Sequence, residues 1–290
     1  MILLSMLGAS PYEPTRYTWK DQTSSPYPLV QQALVELLRP KALFVFATPK
    51  ANEHHGEKIR SIPEAHLVEI PNGEREAEYW EIFSIIERTI PARAELALDI
   101  THGFRSLPVL VLLAVSFLRS AKQAQLKHVL YGAYEARQDG RTPIFDLSPL
   151  IAMLDWASAT DRFLETGDAR KFRLLVSHPT HPSLNSAISK LSSLSEALAT
   201  NRALRSGKLA QEALKQIEQA EREGFAPHQA PLNVLFPQLR HSLKPLARDK
   251  HASPEDQLKQ LFTQIEWLAQ NQRFEKAIGL AREWRKQEAE

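Results

Sequence analysis

The sequence predicts an α/β protein: a parallel-rich sheet flanked by helices, followed by an all-α domain. Short apolar runs alternate with helical patterns over residues 1–150, which is how successive βαβ units read. The runs are apolar at nearly every position, as strands buried on both faces are. Across residues 151–290 those runs disappear and helical periodicity takes over.

The elements follow in order. Met1–Leu7 is the first apolar run, broken by Gly8-Ala9-Ser10-Pro11. Leu29, Ala33, Leu34, Leu37 and Leu38 recur at helical spacing. Leu43–Phe46 is a second run, and His66–Ile70 a third, closed by Pro71-Asn72-Gly73. Glu76–Arg88 reads as a helix with Tyr79, Trp80, Phe83 and Ile86 on its apolar face. Leu96–Leu98 is a fourth run, ending at Asp99. Leu107–Leu118 is helical and apolar on nearly every side, so it needs cover beyond one sheet. Val129–Tyr131 opens a fifth strand, and Pro143–Phe145 ends the half. In the second half, Met153–Ala157, Ala187–Leu204, Leu209–Arg222, Gln257–Leu268 and Phe274–Trp284 are helical patterns, with connections expected at Pro179–Pro182, Gly224–Pro227, Pro237, Pro245 and Pro254.

Composition narrows the function. With no cysteine, thiolate metal sites, disulfides and a cysteine nucleophile are excluded. A net charge of +2 is far from that of a general nucleic-acid coat, so a polyanion must meet a local site. The Leu107–Leu118 run falls short of the roughly 20 residues of a spanning helix. Met1–Leu7 lacks the basic region of a secretory signal, so a buried first strand in a cytoplasmic protein is expected, with no membrane partner.

In open α/β sheets, ligands sit beyond the carboxyl ends of strands. That rule selects the loop from Gly8 to Tyr17, the loop Thr48-Pro49-Lys50-Ala51-Asn52, and Asp99-Ile-Thr101-His102-Gly103-Phe104-Arg105-Ser106. The last is the richest. Gly103 permits close backbone approach. Thr101 and Ser106 offer hydroxyls, and Arg105 can fork onto a phosphate. The helix that follows presents unpaired N–H groups to an anion. The same residues would also serve as a helix-capping turn with a structural histidine. Neither G-x-G-x-x-G nor a Walker motif is present. His54-His55 beside Glu53 and Glu57 reads as a solvated polar loop, and His178-x-x-His181 as a Pro-bounded loop; no metal and no cofactor are expected.

Asp99-Ile-Thr-His-Gly103 resembles the signature of the CRISPR-associated DxTHG-motif proteins, whose N-terminal domain is the CARF, or CRISPR-associated Rossmann fold. The resemblance continues through Leu7-Gly8 with Tyr12 and Tyr17, Ile70–Gly73, Trp80, Ile82-Phe83, Tyr131–Ala136, Asp146-Leu147, Trp156, Phe163 and Gly167-Asp168, and so covers roughly residues 1–170. It implies a Rossmann-like CARF domain at 1–150 and a helical, HEPN-like region at 151–290. It also implies a homodimer that senses cyclic oligoadenylate, the second messenger of type III CRISPR defence. By motif position, Thr101, His102, Gly103, Phe104, Arg105 and Ser106 would line the ring, flanked by Gly8, Ala9, Ser10, Thr48 and Lys50.

Two enzymatic alternatives stay open. Such a site can cleave the ring through in-line attack of a ribose 2′-OH, with Arg105, Lys50 or His102 stabilising charge. Relatives with a HEPN domain cleave RNA through R-x(4–6)-H on one helix. Here Arg173 to His178 is the uninterrupted candidate, and it runs into Pro179. RNA would be the partner in that case. A complete nuclease motif is not expected, which implies a shortened chain or a member without that nuclease.

Overall fold

The computed structural model describes residues 1–103, 106–175, 182–200, 203–226, 229–247 and 253–288. They form two compact units, Met1–Ser148 and Pro149–Glu290.

The first unit runs β1 (Ile2–Leu7), β2 (Thr15–Trp19), β3 (Gln22–Tyr27), α1 (Val30–Leu38), β4 (Ala42–Ala47), α2 (Pro49–Arg60), β5 (Ala65–Glu69), α3 (Glu76–Thr89), β6 (Glu95–Asp99), α4 (Leu107–Ala121), β7 (Gln125–Gly132) and β8 (Arg141–Asp146). The strands make one sheet in the order β3-β2-β8-β7-β6-β1-β4-β5. Its central five, β5-β4-β1-β6-β7, are parallel. The chain winds outward from β1 in both directions, the doubly wound pattern whose switch point lies at β1 and β6. Alternation along β1 sends Leu3 and Leu7 into a core with Ala33, Leu34, Ala51 and Ile59 of α1 and α2. Leu4 and Met6 go into the opposite core with Ile82, Ile86, Val111 and Val115 of α3 and α4. Burial on both faces is why these strands read as continuous apolar runs.

Three expectations need correction. First, the stretch read as a loop through Tyr17 is a strand, paired antiparallel with β3. Its buried positions are Thr15 and Tyr17, satisfied by hydroxyl contacts: Thr15 Oγ1 to Thr142 Oγ1 at 2.9 Å, and Tyr17 N–H donating to Ser24 Oγ at 3.0 Å. The hairpin turns at Lys20-Asp21, with Lys20 at φ 54° and no glycine, so the usual turn signal is missing. Second, Pro49–Arg60 is a helix, not a loop. Thr48 caps it by accepting from Ala51 N–H, and Pro49 occupies the first turn. Its buried face is Ala51, His55 and Ile59 at i, i+4, i+8; a histidine in the middle broke the apolar pattern. Third, α3 buries Ile82 and Ile86, while Trp80 is 65% exposed.

Every described element of the second unit is helical: α5 (Ser148–Thr166), α6 (Arg170–Leu175), α7 (Pro182–Ala199), α8 (Ala203–Glu223), α9 (Leu232–Leu243), α10 (Pro254–Gln270) and α11 (Phe274–Glu288). Phe163, Phe172, Leu191, Leu194, Ile217, Phe236 and Leu239 centre its core. Pro237, read as a connection, lies inside α9. Burial of Phe236 and Leu239 on either side of it holds a helix that local propensity opposes. Trp267 is buried, and Trp284 packs on the same core while its indole N–H donates to Leu258 O.

Candidate functional site

The site is built on the carboxyl ends of β1 and β6, which pair side by side. Asp99, fully buried at the end of β6, is its anchor. One carboxylate oxygen accepts from the Ser5 hydroxyl; the other accepts from Thr101 N–H at 3.0 Å and from the Thr101 hydroxyl. Ser5 in turn accepts from the buried Gln31 amide at 2.9 Å. Burial pushes the Asp99 carboxyl up, and the donors from Ser5 and Thr101 oppose that shift. Thr101 Oγ1 also accepts from Gly132 N–H on β7 at 2.8 Å. The turn is thus tied to three strands before any ligand arrives. Gly103 follows at φ 120°, where a Cβ would sit 3.2 Å from Met6 Cβ. Only glycine lets this turn lie against β1.

The β1 loop folds back over the same strand ends. A Cβ on Gly8 would lie 2.3 Å from the Tyr12 hydroxyl, so the glycine admits the tyrosine. The Tyr12 ring lies between His102, at a centroid distance of 4.2 Å, and His55, at 4.9 Å. Burial pushes the Tyr12 hydroxyl up to about 12, against a backbone hydrogen bond from Gly8. Burial, with a smaller contribution from His55, lowers His102 to about 4, so its ring is neutral at pH 7. His54 Nδ1–H donates to Ala9 O at 2.7 Å, and His55 Nε2–H to Ser10 O at 2.8 Å. A carbonyl partner requires the proton on those nitrogens. The two histidines, read from sequence as a solvated loop, therefore fasten the β1 loop to α2.

The result is a cleft of about 490 Å³ in which Gly8, Ala9, Ser10, Thr48, Lys50, Thr101, His102 and Gly103 converge. Lys50 is exposed at its rim in the first turn of α2, where the Thr48 hydroxyl already accepts from Ala51 N–H. Asn72 and Glu74 join from the β5–α3 connection, and Tyr12 from the β1 loop. The strand-end rule could have found that connection, because Pro71-Asn72-Gly73 closes a strand. Gly73 and Glu74 N–H both donate to Glu78, which pins the turn. Ser106 is an exposed residue before α4 and is not part of the lining. Phe104 and Arg105 lie outside the described residues.

Of the ribonuclease candidates, Arg173 is exposed on α6 beside Asn185, Ser189 and Ser192 of α7, and His178 lies outside the described residues. Among the described residues no group of three or more metal-ligating side chains converges, and no helix is long and apolar enough to cross a membrane.

Comparison with known proteins adds to the geometry. No family model matches the chain. Over 96 residues it is 33% identical to a CRISPR-associated protein of Methanocaldococcus jannaschii, covering 32% of this chain and 15% of that relative. Over that stretch the chain is similar to part of a CRISPR-associated protein. Its DxTHG residues are those just described, from the Asp99 anchor to the Gly103 turn. The chain spans only a small part of the relative's length. Among solved structures, Enterococcus italicus Csm6 bound to cyclic hexa-2′-fluoro-hexa-dAMP superposes with a TM-score of 0.41 and 13% identity, covering 76% of this chain and 62% of that one.

Proposed function

We propose that this CARF protein is a homodimeric, cytoplasmic sensor of cyclic oligoadenylate in type III CRISPR defence, with the ring held across a two-fold axis. The observation that carries the reading is the convergence of three strand-end segments, Gly8–Ser10, Thr48–Lys50 and Thr101–Gly103, on one cleft at the switch point of the sheet. The cleft offers what a small cyclic phosphodiester needs: a cation, a helix N-terminus, hydroxyls and a glycine turn that lets backbone approach closely. The neutral His102 can hydrogen-bond there without a charge.

Dimerisation has its own support. Val109, Leu113 and Phe117 lie at i, i+4 and i+8 on the outer face of α4, each more than half exposed. Phe83 of α3 packs on Phe117 at 5.5 Å, and the exposed Trp80 lies against Phe83 at 6.3 Å. An apolar stripe of this kind marks an association surface. A closed two-fold pair would bring two clefts to one ring. In this reading Pro149–Glu290 is the output unit.

Calorimetry with cyclic tri-, tetra- and hexa-adenylate tests the proposal. One of the rings should bind with one ring per two chains, and Lys50→Ala should weaken it by about tenfold, the size of one charge-assisted contact. Absence of binding by all three rings, or saturation at one ring per chain, would reject it.

A further inference from the structure

The helical unit holds a charge cluster that the sensor reading does not use. Asp168, buried just before α6, accepts from two arginines. Arg162 of α5 donates Nε–H to its Oδ2 at 2.9 Å. Arg170 donates to the same oxygen from Nη2 at 2.7 Å, and its backbone N–H donates to Oδ1 at 3.0 Å. These bonds, those of Arg170 first, hold the Asp168 carboxyl well below the usual carboxylate range, so it is ionised with both oxygens engaged. A third arginine, Arg273, stands immediately before α11. Its Nη2 would lie 3.5 Å from a Cβ on Gly167, the residue next to Asp168. Its guanidinium donates no hydrogen bond to the described residues. We infer that Arg162, Arg170 and Arg273 form an anion subsite of the helical unit, which takes the phosphate group of a phosphomonoester. The inference is independent of the sensor reading, since every residue in it belongs to Pro149–Glu290.

Charge and geometry carry it. Three guanidiniums gather about one carboxylate, which leaves two positive charges in one place. Lys276 adds to the field beside Arg273, and Glu275 offsets it. The Lys276 ammonium is itself engaged at the end of α7, where it donates to Leu198 O at 2.9 Å. Arg273 is half-buried, and burial pushes its guanidinium down from its ordinary value against the attraction of Asp168. A partly desolvated cation without an acceptor is destabilising, so its retention points to an acceptor from outside the chain.

A phosphomonoester carries about two negative charges at pH 7 and three acceptor oxygens. A phosphodiester or a carboxylate carries only one charge. The monoester therefore balances the cluster, and guanidinium forks match its oxygens in pairs. Arg162 and Arg170 are exposed, so an anion reaches them without disturbing the core. Asp168 already holds their two forks side by side, which lowers the entropy lost on binding.

Calorimetry on the full chain tests the subsite with inorganic phosphate, a nucleoside 5′-monophosphate, and hexauridylate with or without a 5′-phosphate. Phosphate should bind wild type, and Arg273→Gln should weaken it by about tenfold or more, the size of one charge-assisted fork. The same variant should keep or raise the urea midpoint, because it removes a half-buried charge that has no hydrogen-bonded partner in the free protein. A purely structural Arg273 would lower that midpoint. Should it fall, the exposed Arg170→Gln decides, by the same loss of phosphate binding. Tighter binding of the mononucleotide than of either hexamer identifies a free nucleotide as the source of the phosphate; tighter binding of the 5′-phosphorylated hexamer identifies an RNA end. No phosphate binding by wild type, an affinity unchanged in both variants, or equal measurable affinity for the two hexamers overturns the subsite.

Discussion

Gly103 and His102 show how single residues shape this site. At φ 120°, with a Cβ position 3.2 Å from Met6 Cβ, Gly103 has neither the conformation nor the room for a side chain. Gly103→Ala is expected to cost about 1–3 kcal/mol from backbone strain, read as a lower urea midpoint. His102 carries a pH signature. Its folded value of about 4 lies below the ordinary 6.5. Between those values the unfolded chain binds a proton that the folded chain refuses. Its contribution to stability is therefore full above about pH 6.5 and is lost as pH falls toward 4. Urea midpoints at pH 7.5 and 5 should drop less in His102→Gln than in wild type. Equal drops would show that the ring is not held neutral by burial. The aspartate, threonine and glycine of the motif were legible as a turn-forming, anion-ready set. That Asp99 spends its oxygens on Ser5 and Thr101 was not, because Ser5 is 94 residues away in sequence.

At the scale of elements, α4 and α2 make the contrast. The sequence of α4 announced that one sheet could not cover it, and the fold leaves Val109, Leu113 and Phe117 more than half exposed in a line. Leu113→Glu is expected to convert the proposed dimer to monomers at micromolar concentration, with an unchanged circular dichroism spectrum. Light scattering decides it: a dimer mass in that variant would move the interface elsewhere. The α2 helix was missed because its buried face is alanine, histidine and isoleucine, so its period is visible only once Ala51, His55 and Ile59 are seen against the sheet. The β2–β3 hairpin was missed for a related reason, since of its buried residues Thr15, Tyr17 and Ser24 two are polar, Thr15 bonding to Thr142 of β8 and Ser24 accepting from Tyr17 N–H.

For the whole molecule, the sequence by itself determined the class of fold, its division near residue 150 and the strand-end loops that line the candidate site. These follow from local information: apolar period, strand-end chemistry and the DxTHG spacing. Both cores also follow, since residues alternate along β1 to opposite faces. The tertiary structure alone decided how the three loops meet. Placing β1 between β6 and β4 sets Gly8, Thr48 and Thr101 around one cleft although some 90 residues separate the first from the last. It also brought Glu13 and Tyr134 together and put two histidines of α2 beneath the β1 loop. Strand order arises from long-range pairing, in which each crossover chooses a side of the growing sheet by packing and handedness. A periodic pattern records that a strand is buried but not which strand lies beside it, so only the folded sheet specifies the neighbours that make a site.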